Sequence, residues 1–173
     1  TALSSRIGQW IVTLFLFYSG YGIMEAIKRK GDAYINAIPR KRLLTVLLNF
    51  DIAVLVYTCI HLMLQGAEGW NTQQFLLSLT GWESMGNSNW YIFVILLAYA
   101  ITYISFKLVQ TKHKHLAPFG IMAQLFVSML ILSFLKGSWW YDTILCFGAG
   151  LLFSTYKEQC IKLILKYRVT IFF

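Results

Sequence analysis

Five long apolar runs, separated by clusters of basic residues, constrain the fold of this chain more than any other feature. A helix that crosses a bilayer needs about 20 predominantly apolar residues. The five runs cover residues 7–27, 43–64, 89–106, 116–135 and 139–156. They are continuous rather than alternating, which favours helices over the strands of a membrane barrel. The sequence therefore predicts an all-α, polytopic integral membrane protein with five transmembrane helices.

Composition excludes the other broad classes. The 173 residues are 58% hydrophobic and only 13% charged, whereas soluble domains average about 25% charged residues. The apolar content also excludes a disordered chain, and three cysteines without paired spacing exclude a disulfide scaffold. A net charge of +8 would suggest nucleic acid in a soluble protein. Here membrane topology explains it, so we expect the lipid bilayer as a partner and no nucleic acid.

Basic residues fall almost entirely on one side of the predicted membrane. Segments 28–42, 107–115 and 157–173 hold thirteen of the 15 Lys and Arg residues, and the other side receives Arg6 and Lys136. By the positive-inside rule the first set is cytoplasmic. Tryptophan, which prefers membrane interfaces, agrees, because all six lie in outer loops or at outer helix ends. We therefore expect the N-terminus to lie outside.

Both ends of the chain suggest a piece of a longer protein. The chain begins outside without an initiator Met or a signal peptide. After a cytoplasmic C-terminal helix over residues 157–167, residues 169–173 are apolar, like the first turn of a further span. We expect residues 1–173 to be a single transmembrane domain, and an internal or truncated fragment that lacks at least one preceding helix.

Asp51 is the ionisable residue deepest in a predicted span. It lies nine residues into a helix that starts at the cytoplasmic face, so about 1.5 Å per residue places it roughly 12 Å deep, close to mid-bilayer. Such a group usually faces a polar cavity or a partner. Thr58, seven residues on, shares its face. We favour a functional role over an Asp that only hydrogen-bonds a neighbouring helix.

Two cytoplasmic features are candidates for ligand binding. The basic residues 40–42 follow Pro39, which biases Ile38 away from helix and suits the start of a new one. Cations at a helix N-terminus suit phosphate groups, although the orientation signal alone explains the charge. Small residues in segment 19–22 allow a ligand or another helix to approach closely, and helix packing is the simpler explanation.

The outer loop over residues 65–89 is the longest segment that does not span the membrane. Residues 72–81 predict a short apolar helix that lies on the interface or dips back into it. Nearby aromatic side chains suit stacking on a sugar face, although an aromatic belt is the commoner explanation. They are Trp70, Trp82, Trp90 and Tyr91. In the basic loop, His113 and His115 lack a third ligand close in sequence, so no metal site is predicted.

Several segments resemble one family of integral membrane enzymes. Residues 15–22 (FLFYSGYG) resemble the F-F-x-x-S-G-[FY] segment of the acyltransferase-3 family. The following basic loop and Arg-bearing helix start, and two later segments rich in Trp and Tyr, are similar to the family's layout. These are residues 34–44 with Arg40 and Arg42, residues 86–93 with Tyr99 further on, and residues 139–150 ending in Tyr156 and Lys157.

The resemblance implies a multi-pass enzyme of the cell membrane with about ten helices, of which the first here is the family's second. Such an enzyme is an O-acyltransferase that moves an acyl group, often acetyl, from cytoplasmic acyl-CoA to a hydroxyl of a cell-envelope glycan. Acyl-CoA is then a cosubstrate, no bound cofactor is implied, and the saccharide and the missing helices are partners. The implied donor-binding residues are Arg40, Arg42, Ser19 and Gly20. The implied acceptor or intramembrane polar site comprises Asp51, Trp82, Asn89 and Trp90.

The chain also departs from the family pattern. The family's candidate catalytic His belongs to a first helix that this chain lacks, so no general base is assigned and no activity is expected of this fragment alone. Thr45 stands where the second Arg of an R-x-x-R pair is expected, and Asn89 and Ile95 replace a His and a Glu. The alternative is a transporter or a substrate-binding membrane subunit without catalytic activity, with Asp51 as its ligand or coupling site. A purely structural subunit is the third possibility.

Overall fold

The computed structural model describes residues 2–66, 71–109 and 116–171. Every regular element in those ranges is helical, as predicted for an all-α protein. No strand occurs in these ranges. In chain order the elements are α1 (Ala2–Lys30), α2 (Asp32–Ile38), a π-helical segment (Pro39–Leu44), α3 (Thr45–Gln65), α4 (Thr72–Ser78), α5 (Trp90–Leu108), α6 (Ala117–Leu135), a 3₁₀ turn (Ser138–Trp140) and α7 (Ile144–Ile171).

Four helical stretches are long and apolar enough to cross a membrane, which confirms the membrane class. They are Ile7–Lys30, Asp32–Leu64, Trp90–Leu108 and Ala117–Leu135. The fifth predicted span is not among them, because α7 begins only at Ile144 and soon reaches the polar residues 157–159. The helix expected over residues 157–167 is not separate, since α7 continues without a break to Ile171.

The prediction that Pro39 starts a new helix is wrong. Ile38 has α-helical dihedrals (φ −54°, ψ −48°), and α2, the π segment and α3 form one continuous helix. Pro39 lacks the N–H that an α-helical ladder requires, and the switch to i→i+5 bonding accommodates that loss locally. The basic residues 40–42 therefore lie inside a helix, where the dipole of an N-terminus does not assist them.

The same continuity corrects the position of Asp51. The helix starts at Asp32 rather than near residue 43, so Asp51 lies nineteen residues along it. At 1.5 Å per residue that is roughly 28 Å from the helix start, not 12 Å. The prediction counted from residue 43, where no helix begins, and the mid-bilayer position of Asp51 itself stays a prediction.

Two glycines bring α1 and α7 into close contact. A Cβ on Gly20 would collide with the carbonyl oxygen of Phe147, and a Cβ on Gly150 would collide with the carbonyl oxygen of Phe17. Such small residues let helix backbones approach within a membrane. Contacts farther apart along the helices give their relative direction. Phe17 lies against Gly150, and Glu25, eight residues later, contacts Ser154 and Lys157, so α1 and α7 run in the same direction.

Helix α5 lies at the centre of the bundle. It contacts α2, the π segment, α3, α6 and α7. Its inner face is fully buried at Val94, Ala98 and Thr102. Helices from both halves of the chain therefore meet around α5, and the candidate site lies beside it.

Candidate functional site

A cluster of four polar side chains lies inside the bundle around Arg42. The Nε atom of Arg42 donates a hydrogen bond of 2.9 Å to the Tyr34 hydroxyl. The Tyr99 hydroxyl interacts with both Arg42 and Ser19. The cluster, here called the Arg42 cluster, thus joins Ser19 of α1, Tyr34 of α2, Arg42 of the π segment and Tyr99 of α5.

The π segment explains why Arg42 reaches Tyr34. The two residues are eight apart. In an ordinary α-helix this spacing exceeds two full turns, so the two side chains would point in different directions. A π turn absorbs an extra residue, so eight residues here align as about seven do in an α-helix, two full turns apart. Tyr34 is buried, and Tyr99, which is 2% exposed, packs its ring edge-on against Phe147 at 5.9 Å.

The Arg42 cluster lies inside the bundle, away from the turn between Lys30 and Asp32 that joins α1 to α2. Arg42 is ten residues after Asp32, and Ser19 is eleven residues before Lys30. Along helices these separations correspond to roughly 15 Å and 16 Å. Both helices therefore place the cluster roughly 15 Å from the turn that joins α1 to α2.

The charge of Arg42 is not neutralised by its neighbours. Its partners Tyr34 and Tyr99 are phenols, and in the part of the chain that the structure describes no carboxylate forms an ion pair with it. A guanidinium has five N–H donors and no acceptor. A half-buried Arg42 with neutral partners therefore retains both charge and donors for an anion or a carbonyl oxygen.

The predicted donor-binding residues occupy different environments. Ser19 and Arg42, which are far apart in sequence, meet through Tyr99. Arg40 is exposed and outside the cluster, and its carbonyl accepts a hydrogen bond from Thr45. Gly20 faces the backbone of α7, a position that helix packing explains. Donor binding by Arg40 and Gly20 stays a prediction.

A second polar group ties α1 to α7 near the basic end. Glu25 forms ion pairs with Lys28 at 3.2 Å and Lys157 at 3.0 Å, and accepts a 2.8 Å hydrogen bond from the Ser154 hydroxyl. Lys28 also donates to the carbonyl of Ser154. The hydrogen bond to Glu25, together with a weaker one to Tyr21, raises the pKa of Lys157 above its usual value. These contacts satisfy Glu25 internally and indicate a structural role.

An aromatic cluster closes the opposite end of the bundle. The rings of Trp82, Phe93 and Trp140 contact one another at centroid distances of 5.1 to 5.8 Å. The Lys136 ammonium lies 4.3 Å from the centroid of Trp82 and 4.8 Å from that of Trp140. It also pairs with Glu83 at 3.2 Å and donates to the Trp82 carbonyl. Trp82 is thus held in a satisfied cation–π arrangement.

The other predicted acceptor residues differ in accessibility. Asn89 is buried, and its amide nitrogen donates a hydrogen bond of 2.8 Å to the Gly81 carbonyl. This bond fixes the loop before α5. Trp90 instead lines an open groove of about 550 Å³ between α1 and the start of α5. The groove is lined by Gly8, Gln9, Val12, Ser88, Trp90, Tyr91 and Trp139.

Asp51 and Thr58 share an unusual feature on α3. Within the described residues, Oδ1 of Asp51 and Oγ1 of Thr58 are buried and have no hydrogen-bond partner. The two residues lie on one face, as their spacing predicts. The function of Asp51 stays a prediction. Several other predicted features lie outside the described residues, among them Trp70, His113 and His115.

Tyr34 and Tyr99 are site residues that the sequence did not single out for a role. A signal for Tyr34 existed in its spacing from Arg42, but it becomes readable only when the helix is known to continue through Pro39 with a π turn. For Tyr99, a polar hydroxyl in the middle of an apolar run was the available sign.

Comparison with known proteins gives one match. A family model for an acyltransferase domain, the acyltransferase-3 family, matches residues 1–173. No curated protein and no solved structure matches the chain significantly.

Proposed function

The chain belongs to the acyltransferase-3 family, and on that premise we propose that it forms part of a membrane-bound O-acyltransferase. The acyl donor is cytoplasmic acyl-CoA, with acetyl as the acyl group, and the acceptor is a hydroxyl of a cell-envelope glycan. The membership agrees with the resemblance of residues 15–22 to the family's segment. Donor, acyl group and acceptor are parts of the proposal.

The proposed topology has five spans, with the N-terminus outside and the basic segments in the cytoplasm. The parallel course of α1 and α7 supports it, because a first and a fifth span cross the membrane in the same direction. The close contacts at Gly20 and Gly150 keep α7 packed against α1. The tryptophans at the far end from the basic residues support the orientation.

The observation that carries the proposal is the uncompensated charge of Arg42 inside the bundle. In the transfer, the acceptor hydroxyl oxygen attacks the thioester carbonyl carbon and the carbon–sulfur bond breaks. The hydroxyl proton passes through a general base to the departing sulfur, so CoA leaves as a thiol. Negative charge develops on the carbonyl oxygen during this step. Arg42 supplies N–H donors to that oxygen, and Tyr34 and Tyr99 orient its guanidinium. The general base stays unassigned.

Transfer of labelled acetyl from acetyl-CoA to envelope glycan, measured in membranes that contain the full-length enzyme of which this chain is proposed to form a part, tests the proposal. We expect Arg42→Ala to reduce transfer about 100-fold, which is the scale of losing one donor to a developing oxyanion. Arg42→Lys keeps the positive charge but loses the planar set of guanidinium donors, so we expect its transfer rate to lie between those of the wild type and Arg42→Ala. The matched control is Lys136→Met, which removes a cation from the opposite end. Wild-type transfer by Arg42→Ala would overturn the role of Arg42.

Transport is the second candidate function. It is favoured by the buried oxygens of Asp51 and Thr58, which have no hydrogen-bond partner in the part of the chain that the structure describes. A carboxylate in a membrane helix is a common coupling site. Proton or solute uptake into vesicles that is abolished by Asp51→Asn, together with no acetyl transfer by the wild type, would replace the first proposal by this one.

A further inference from the structure

The groove between α1 and the start of α5 is open and has an amphipathic lining. Its volume is about 550 Å³. Trp90 and Tyr91 are half-buried and form an edge-to-face pair at 5.9 Å, while Trp139 is 53% exposed. Gln9 and Ser88 add an amide and a hydroxyl. The described residues that line the groove carry no formal charge at neutral pH.

This chemistry matches a neutral saccharide. The face of a sugar ring is apolar and suits an aromatic ring, whereas its hydroxyls need both donors and acceptors. An amide supplies both, and so does a hydroxyl. A volume of about 550 Å³ lies within the range of small-molecule sites. A charged headgroup would instead require a countercharge, which the described lining does not offer.

The position of the groove relative to the Arg42 cluster is the second argument. On α1, Val12 of the groove and Ser19 of the cluster are seven residues apart, so they share one face at a separation of roughly 10 Å. On α5, Tyr91 and Tyr99 are eight residues apart, roughly 12 Å. Two helices that belong to the Arg42 cluster therefore also build the groove.

We propose that this groove is an acceptor subsite and binds a sugar unit of the glycan roughly 10 Å from the unit that is acylated at the Arg42 cluster. Trp90, Tyr91 and Trp139 contact the faces of the sugar, and Gln9 and Ser88 hydrogen-bond its hydroxyls. The subsite rests on the proposed acyltransferase function. It differs from the predicted acceptor set, because Trp82 and Asn89 are engaged in internal contacts.

Gly8 offers a way to fill the groove without disturbing the bundle. A Cβ on Gly8 would meet nothing within 4 Å, so Gly8→Leu places a side chain in open groove space. Gly120 on α6 is also in open space but outside the groove, so Gly120→Leu is the matched control. The probes are tetrasaccharides of glucose and of N-acetylglucosamine, with binding measured by the change in tryptophan fluorescence of the purified full chain in detergent.

We expect the wild type and Gly120→Leu to bind at least one probe, and Gly8→Leu to bind it at least tenfold more weakly. Trp139→Ala is expected to weaken binding about fivefold. Absence of binding by the wild type, or equal binding by Gly8→Leu, would overturn the subsite.

Acyl-CoA binding and acetyl transfer separate this proposal from the one on which it rests. In the full-length enzyme, we expect Gly8→Leu to bind acyl-CoA as the wild type does and to lose transfer. Full transfer by Gly8→Leu would overturn the subsite while leaving the acyltransferase function intact. Saccharide binding that depends on the groove in a protein without any transfer would support the binding site and overturn its catalytic role.

Discussion

Arg42 and Lys136 are both cations held among aromatic side chains, yet their charges are treated differently. Lys136 has a carboxylate partner in Glu83, a backbone carbonyl and the faces of two tryptophans. Among the described residues, the partners of Arg42 are the hydroxyls of Tyr34 and Tyr99. Both are partly buried, so exposure does not distinguish them. The presence or absence of a compensating charge does.

The difference teaches which cation in a membrane bundle is available to a ligand. A cation that is removed from water needs compensation, and leaving it uncompensated costs free energy. Lys136 receives that compensation from the protein, so it stabilises the end of the bundle. Arg42 receives only part of it, and a bound donor with a carbonyl or phosphate oxygen completes it. We therefore treat the Arg42 cluster as a binding site and the Lys136 cluster as structure.

The largest expected effect comes from disrupting the packing of α1 against α7. Gly20→Ala inserts a methyl group into the carbonyl of Phe147 and forces α1 and α7 apart. Overpacking of this kind costs about 3 kcal/mol of unfolding free energy. The measurement is unfolding of the purified protein in detergent, followed by circular dichroism.

Gly22→Ala is the control, because a Cβ on Gly22 meets nothing within 4 Å on the same helix. We expect no loss of stability there, since Ala is a better helix former than Gly. Unchanged stability of Gly20→Ala, together with weaker acyl-CoA binding, would contradict the packing role and restore Gly20 as a donor-binding residue.

Lys136→Met is expected to have an intermediate effect. It keeps a long apolar side chain but removes the charge that interacts with Trp82, Trp140 and Glu83. The loss of a desolvated cation–π contact is about 2 kcal/mol, and the partly exposed pair with Glu83 adds little. Chemical unfolding measures this change. A stable Lys136→Met variant with impaired acyl-CoA binding would reverse the comparison between the two cations.

Tyr34→Phe is expected to have the smallest effect. It removes the acceptor for the Nε atom of Arg42 while the ring stays buried. The loss of one such hydrogen bond is about 1 kcal/mol, or roughly a fivefold weaker affinity for acyl-CoA. Tyr18→Phe, at a 65% exposed position of α1, is the control. Equal affinity of wild type and Tyr34→Phe in equilibrium binding would show that Tyr34 does not orient Arg42.

Much of the helical content was predictable because it depends on local hydropathy. The first four apolar runs each correspond to a helix long enough to cross a membrane, since burying an apolar side chain in lipid needs no information about distant residues. The fifth run was harder, because its polar continuation at residues 157–159 is part of the same helix. The helix through Pro39 was missed because a π turn overrides the usual restriction before proline.

The candidate site was predictable only in part, and the missing part is tertiary. Ser19 and Arg42 were expected from the family resemblance, but their meeting through Tyr99 depends on the placement of α5 between α1 and the π segment. The role of Gly20 depends on a carbonyl more than 100 residues away, on α7. Likewise, the ion pair of Lys136 with Glu83 and its contacts with Trp82 and Trp140 join two segments that lie more than 50 residues apart. A single sequence carries no record of such distances.

Equilibrium binding of acyl-CoA to the wild type, Arg42→Ala and Lys136→Met tests the central claim most directly. We expect Arg42→Ala to bind at least tenfold more weakly, because a hydrogen bond to a charged group contributes about 1.5 to 3 kcal/mol. We expect Lys136→Met, assayed below its unfolding temperature, to bind as the wild type does. Equal affinity of the wild type and Arg42→Ala, or a selective loss of binding in Lys136→Met, would contradict the assignment of the donor site to Arg42.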